Sequence, residues 1–198
     1  MIRLFVGLAM PEAVRNTLSR LAGGLPGARW VRPENHHLTL RFIGEVDEGV
    51  AQDVDEALDL VTAPPFALTL DGLGHFGQGV RARTLWAGVG PEPALDHLQA
   101  KVESAVVRTG LPAETRKFSP HVTLATLGRD TPPARLGRFL EEYGLFQAGP
   151  FPVDQFILYE SVLGRQGSTY HALRSYPLGG WRPERAANGD DDGGEDGA

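Results

Sequence analysis

Two copies of the pattern His-x-Thr-Leu, with x aliphatic, occur in this chain at residues 37–40 and 121–124. We call them the first motif and the second motif. Each lies beside a short apolar run that is typical of a buried strand. Side chains at i and i+2 of a strand share one face, so His37 lies beside Thr39, and His121 beside Thr123. Two imidazoles that face each other across a cleft form an acid/base pair, so the fold has to bring the two motif strands together.

The remaining pattern predicts alternating strands and helices. Apolar runs bounded by Gly and Pro predict strands at residues 3–8, 37–43 (ended by Gly44), 66–73, 84–89, 121–127, 151–163 and 170–178. Apolar residues at helical spacing predict helices at residues 11–22, from 47 or 48 to the pair Pro64-Pro65, 91–108 and 133–143. Several strand pairs look hairpin-joined, which favours an α+β fold over a doubly wound parallel sheet. We expect a bilobal molecule: two similar lobes of antiparallel or mixed sheet with outer helices, and a central groove carrying one motif from each lobe.

The acidic residues are concentrated at the C-terminal end of the chain, and the rest of the chain is close to neutral. The net charge of the 198 residues is −6, but residues 183–198 hold six acids against one base, so the body is close to neutral. That end is too poor in apolar residues to order itself. We therefore expect a single bilobal domain at residues 1–182 and a disordered acidic tail at residues 183–198. Arginines of the body remain available for a local phosphate site.

The absence of cysteine and of long apolar runs limits where the protein can be located. There is no cysteine, which excludes disulfides and thiolate metal ligands and fits a reducing cytoplasm. The chain has no apolar run of the roughly 18 residues that a membrane span needs, and no signal peptide is predicted. We expect a cytoplasmic monomer that does not bind membranes.

The motif residues have the chemistry of phosphodiester cleavage. Histidine titrates near neutral pH, so one imidazole can accept a proton while the other donates one. A threonine hydroxyl on the same face can donate a hydrogen bond to an anionic oxygen. No metal ion or cofactor is expected, because no carboxylate-rich cluster lies near the motifs in the sequence.

The motifs with their flanks resemble the paired signatures of the 2H phosphoesterase superfamily. The matching stretches run from His37 to Gly44 and from Phe118 to Leu124, and the resemblance extends over most of residues 2–178. It includes the lead-in at residues 30–35 and the closing segments at residues 158–161 and 167–170. Within the superfamily the chain is most similar to the RNA 2',3'-cyclic phosphodiesterases of bacteria and archaea, also called 2'-5' RNA ligases.

The resemblance implies an activity and a role for each motif residue. The activity is hydrolysis of a 2',3'-cyclic phosphate at an RNA end to a 2'-phosphomonoester, with reversible 2'-5' joining of RNA ends. It implies that His37 is the proton donor, that His121 is the proton acceptor, and that Thr39 and Thr123 bind the phosphate. The partners would be RNA with 2',3'-cyclic phosphate ends, or nucleotides.

One position departs from the family pattern. Many relatives carry a basic residue where this chain has Thr126, so the cation that neutralises the phosphate has to lie elsewhere. Arg129 and Arg165 are the leading candidates, and Arg41 is ranked below them. Phe42 and Tyr170, in the resembling segments, complete the candidate substrate-binding residues.

Alternatives remain open on the sequence alone. A lone histidine on a strand is more often part of a core, so the interpretation depends on the pair and its shared context. The chain could instead be a 2'-5' RNA ligase that joins tRNA halves, or a non-catalytic RNA- or nucleotide-binding module that keeps the groove. A histidine metal site is disfavoured.

Overall fold

The computed structural model describes residues 1–77, 79, 82–164 and 167–179. The predicted tail at residues 183–198 therefore lies outside the described residues. Within them the strands are β1 (Ile2–Ala9), β2 (Ala28–Trp30), β3 (His37–Val46), β4 (Phe66–Phe76), β5 (Thr84–Val89), β6 (His121–Leu127), β7 (Gln147–Val153), β8 (Gln155–Gly164) and β9 (Gly167–Pro177). The helices are α1 (Glu12–Ser19), α2 (Glu48–Asp59), α3 (Pro93–Arg108) and α4 (Pro133–Glu142), and a 3-10 turn spans Pro33–Asn35.

The strands form one sheet in the order β7-β4-β5-β6-β3-β1-β8-β9, with β2 paired to β6. All of its described pairings are antiparallel. The prediction of an α+β fold with antiparallel sheet is confirmed. The two predicted lobes correspond to two halves of this sheet: β3-β1-β8-β9, which we call the first half, and β6-β5-β4-β7, the second half. They meet where Leu38 of β3 lies opposite Val122 of β6.

The helices bury the apolar faces that their sequence spacing predicts. In α2, Val54 and Leu58 are fully buried, and the Asp47 side chain accepts a hydrogen bond from the backbone N–H of Val50 at 2.9 Å. This contact caps the helix start, because the first N–H groups of a helix have no partner within it. α2 packs against α3, and α3 packs against β3. None of the helices in the described ranges has the length and apolar character needed to cross a membrane.

Both motif strands change register at the same motif position. In β3, Thr39 pairs with Gly7 and Arg41 with Val6, so Leu40 has no opposing residue. In β6, Thr123 pairs with Trp86 and Ala125 with Leu85, so Leu124 has none. An extra residue of this kind reverses the alternation of side chains beyond it. Two successive buried residues follow each threonine, and Phe42 and Thr126 then emerge exposed at equivalent positions.

Some predicted element limits were wrong. The strand predicted at residues 151–163 is two strands, because β7 ends at Val153 and β8 begins at Gln155. Gly44 does not end β3, which continues to Val46. The glycine adopts φ +92°, a left-handed conformation that costs little without a Cβ, and the strand passes through it.

A substitution at Gly7 tests the packing behind the first motif. A Cβ at Gly7 would lie 2.8 Å from the carbonyl oxygen of Leu38, so the motif strand would have to shift. We expect Gly7→Ala to lower the free energy of unfolding by about 1–3 kcal/mol, as overpacking does. A Cβ at Gly137 of α4 would meet no atom of the described residues within 4 Å, so Gly137→Ala should raise the free energy of unfolding by about 0.5–1 kcal/mol. Urea unfolding of both variants checks the prediction, and equal effects would contradict it.

Candidate active site

The pairing of Leu38 with Val122 brings the four motif side chains onto one surface. Both side chains of the pair are fully buried beneath the sheet. Continuing this register by one residue in each direction sets His37 opposite Thr123, and Thr39 opposite His121. Directly opposed residues of antiparallel strands have Cβ atoms about 4.5–5.5 Å apart. The two histidines and two threonines therefore form a diagonal arrangement on the groove face.

Two adjoining cavities make up this groove. The smaller cavity, of about 310 Å³, is lined by His37, Thr39 and Thr123 among others. The larger cavity, of about 520 Å³, is lined by Thr39 and His121 among others. Thr39 and Phe42 line both cavities, so the two are neighbouring compartments of one groove. The structure brings the predicted motif residues together.

Each motif histidine is held by the same backbone contact. Nδ1 of His37 lies 2.7 Å from the carbonyl oxygen of Asn35, and Nδ1 of His121 lies 2.7 Å from that of Ser119. A carbonyl oxygen can only accept, so Nδ1 carries the proton and donates in both residues. In the neutral ring, Nε2 is then left with a free lone pair. Each imidazole thus has one nitrogen anchored and the other available for proton transfer.

Aromatic rings fix the imidazole planes. The rings of Tyr170 and His37 are nearly perpendicular, with a centroid distance of 4.9 Å and an interplanar angle of 81°. Phe76 meets His121 in the same way, at 4.8 Å and 85°. Phe5 adds a second ring against His37, at 4.7 Å. These contacts limit rotation of both imidazoles and shield His37 from water on two sides.

Burial lowers the pKa of the His37 imidazole below its ordinary value of 6.5. Desolvation penalises the charged form, and the nearby His121 lowers the pKa further, while the hydrogen bond to Asn35 opposes both effects. His36 is only 5% exposed, and burial lowers its pKa to about 4. Its Nδ1 has no hydrogen-bond partner among the described residues, so His36 is a buried, neutral residue.

The predicted substrate-binding residues divide into two groups. Phe42 and Tyr170 line the smaller cavity with His37. Arg129 is exposed in the turn after β6 and is not among the residues that line either cavity. Arg165 lies outside the described residues.

Arg41 lines the larger cavity, but its side chain is mostly buried and its charge is engaged by protein groups. Its side chain is 7% exposed, with an ion pair to Glu103 at 2.9 Å and a second to Glu114 at 3.6 Å. It also donates a hydrogen bond to the carbonyl of Pro112. The register shift at Leu40 removes Arg41 from the parity of His37 and Thr39, and its charge is balanced by two carboxylates. It therefore has little positive charge to offer a ligand.

Several site residues were missed from the sequence. Asn35 supplies the carbonyl that holds His37, and its side-chain amide donates to the carbonyl of Ser168 at 2.9 Å, which ties the β8–β9 hairpin to the site. Ser119 holds His121 in the same way. The signal that could have found them is positional: each lies two residues before a motif histidine. Phe5, Phe76 and Arg3 carry no local signal, because only the sheet order brings them to the groove.

Within the part of the chain that the structure describes, no group of three or more His, Asp or Glu side chains is arranged to hold a metal ion. The groove instead presents two imidazoles, two motif hydroxyls and aromatic walls. This set of groups can exchange protons and donate hydrogen bonds to an anion. A protein with this sheet and this paired site falls in the class of two-histidine phosphoesterases.

Comparison with known proteins agrees with this class. The family model described as LigT like Phosphoesterase matches residues 8–86 and 89–170. The chain belongs to this family of phosphoesterases. It is 40% identical over 152 residues to the RNA 2',3'-cyclic phosphodiesterase of Aeropyrum pernix, covering 76% of this chain and 85% of that protein. It is 30% identical over 178 residues to the enzyme of the same name from Archaeoglobus fulgidus, covering 88% and 99% of the two chains.

Solved structures give the same result for the fold. A crystal structure described as a phosphoesterase superposes with a TM-score of 0.74 at 28% identity, covering 89% of this chain and 98% of that one. E. coli LigT complexed with 3'-AMP superposes with a TM-score of 0.72 at 29% identity, covering 90% and 98%.

The carbonyl contacts predict an uncommon tautomer. We expect neutral His37 and neutral His121 to carry the proton on Nδ1, because each Nδ1 donates to a backbone carbonyl. Histidine ¹⁵N chemical shifts measured above pH 8 check this, with assignment by His37→Gln and His121→Gln. The exposed His97 serves as the internal reference. An Nε2-protonated signal for either motif residue would contradict the geometry.

The burial of His37 predicts a pH response that depends on phosphate. In the free protein its imidazole should stay neutral at pH 6.5 and gain a proton only as the pH falls further, because its pKa is lowered. Inorganic phosphate bound beside it should raise that pKa, since a nearby anion favours the cation. Titration of the His37 Cε1–H resonance with and without phosphate measures both effects. A His37 pKa above 6.5 in the free protein would overturn the first expectation.

Proposed function

We propose that this chain hydrolyses 2',3'-cyclic phosphodiester ends of RNA to 2'-phosphomonoesters by acid/base catalysis with two histidines. The observation that carries the proposal is the pair of imidazoles anchored through Nδ1 in one groove, diagonal to each other and each opposite a threonine hydroxyl. The names of the relatives from A. pernix and A. fulgidus support the choice of substrate. The E. coli relative solved with 3'-AMP supports a nucleotide-binding groove.

The proposed reaction requires one proton acceptor and one proton donor. A water molecule attacks phosphorus, and Nε2 of His121 takes its proton as the P–O bond forms. The P–O3' bond breaks, and Nε2 of the His37 imidazolium gives its proton to O3'. The product is a 2'-phosphate with a free 3'-hydroxyl, and the enzyme ends with a proton on His121 in place of His37. Proton exchange with solvent restores the starting state.

The two threonines have a separate role in this proposal. The Thr39 and Thr123 hydroxyls donate hydrogen bonds to the non-bridging oxygens, which carry more negative charge as the fifth bond to phosphorus forms. Donors placed in advance at such oxygens stabilise the transition state more than the ground state. Because each threonine lies opposite one histidine and on the same strand as the other, the two hydroxyls would hold phosphorus within reach of both imidazoles.

Other expectations from the sequence concern the protein as a whole. Both histidines come from one chain, so the proposed site is complete in a monomer. The monomeric state, the cytoplasmic location and the independence from metal ions and cofactors stay predictions.

Alanine substitutions test the proposal. We expect His37→Ala and His121→Ala each to lower kcat on 2',3'-cyclic AMP by about 10² to 10⁴, the usual worth of a general acid or base. His97→Ala is the matched control, because His97 is exposed on α3 and lines no part of the groove. Chromatography of the product should show 2'-AMP, and EDTA should leave the rate unchanged.

Specific results would contradict the proposal. Wild-type turnover by either motif variant, with folding intact by circular dichroism, would exclude the two-histidine mechanism. A 3'-phosphate product would show that the P–O2' bond breaks instead of the P–O3' bond. Joining of tRNA halves without release of a monoester would favour the ligase. Binding of nucleotides without turnover would favour a binding module.

A further inference from the structure

The side chains that line the smaller cavity carry a positive charge beside His37. Among the described residues that line it, Arg3 carries the one permanent positive charge, and none has a carboxylate side chain. The other polar groups there are neutral, chiefly Thr123, Thr126, Ser161 and Ser168. A cavity with hydroxyl donors, one guanidinium and no acid favours an anion.

Arg3 is positioned by an aromatic ring. Its guanidinium carbon lies 5.0 Å from the centroid of the Phe42 ring, within the range of a cation–π contact. Phe42 reaches the groove face because of the register shift at Leu40. The equivalent residue of the second motif, Thr126, offers no ring. The cation and its support therefore belong to the His37 side of the groove.

The charge of Arg3 is not neutralised by the described protein. Glu45 lies opposite Arg3 in the pairing of β1 with β3, yet no carboxylate in the described ranges comes within 4.0 Å of the Arg3 guanidinium. Arg41, by contrast, has two carboxylate partners. Arg29 lies opposite Thr126 on β2 but is not among the residues that line the cavity.

We propose that Arg3 binds the phosphoryl oxygens of the substrate in the smaller cavity, with the Phe42 ring holding the guanidinium in place. The inference rests on the proposed function and names the cation that the motif residues lack. A guanidinium presents paired N–H donors that match two phosphate oxygens, and it stacks on aromatic faces, so Arg suits this position better than Lys. Arg3 then orients the phosphate from the His37 side, while the hydroxyls of Thr39 and Thr123 bind from the centre.

Equilibrium binding tests this role without turnover. Calorimetry would measure the affinity of the wild type, Arg3→Gln and Arg108→Gln for inorganic phosphate and for 2'-AMP. Arg108 is an exposed arginine at the end of α3 that lines neither groove cavity, so its variant removes the same charge elsewhere. We expect Arg3→Gln to weaken both ligands by about tenfold to a hundredfold, as loss of a charged hydrogen-bond donor does. Arg108→Gln should bind as the wild type does.

Further measurements distinguish a loss of affinity from a loss of folding. Thermal unfolding of Arg3→Gln should match the wild type, and its affinity should depend less steeply on salt, since one cation is lost. Phe42→Leu keeps the charge but removes the ring, so it should give an intermediate loss of affinity. If the glutamine variant does not fold, Arg3→Lys decides: we expect it to bind about tenfold more weakly than the wild type, because the paired donors are lost.

The outcomes are distinct from those of the proposed function. Wild-type affinity in folded Arg3→Gln, or a greater loss in Arg29→Gln, would overturn the inference even if the wild type hydrolyses cyclic nucleotides. Loss of phosphate affinity in Arg3→Gln, in a protein that hydrolyses none of them, would sustain the anion site and reject the proposed reaction. When the wild type is active, Arg3→Gln should also show a raised KM.

Discussion

The site depends on one pairing between two strands, that of Leu38 with Val122. Their side chains are fully buried, and fully burying a side chain of this size contributes about 1.5–3 kcal/mol. The pair joins the two halves of the sheet and fixes the register between β3 and β6. Because strand residues alternate, burying these two side chains directs the residues on either side of them to the opposite face. Hydrophobic burial beneath the sheet thus sets the distance between polar groups above it.

The two halves repeat the same local design and then diverge. Both histidines donate Nδ1–H to a carbonyl two residues earlier, both contact an aromatic ring at nearly a right angle, and both motif strands shift register after the threonine. The divergence is in the surroundings. His37 is enclosed by Phe5 and Tyr170, and the first strand brings Phe42 to the groove where the second brings Thr126. Different surroundings allow two identical side chains to take different roles, as the proposed acid/base mechanism requires.

Local patterns predicted much of this structure, because they report which face of an element is buried. Alternation around His37 and His121 predicted the shared faces, and the limits of β5 and of β6 agree with the prediction. The register shift in β3 could not be predicted, since Leu40-Arg41 is an apolar–polar pair that fits uninterrupted alternation. Alternation would also place Arg41 on the face of His37 and Thr39, whereas its side chain is buried and ion-paired with two carboxylates. Arg3 is 34 positions from His37 along the chain, and only the pairing of β1 with β3 brings it to the groove.

The lowered pKa of His37 is opposite in direction to what the proposed proton donor needs, but binding of the substrate would reconcile the two. A buried imidazole resists protonation while the groove is empty, and each unit of pKa shift corresponds to about 1.4 kcal/mol. A phosphodiester brings a negative charge into the same poorly solvated space, where charges interact more strongly than in water. Binding of the phosphodiester therefore favours the imidazolium, because its negative charge attracts the positive charge on His37. Substrate binding would then drive protonation of His37. The proton needed by the leaving oxygen would therefore be present when a phosphodiester occupies the groove.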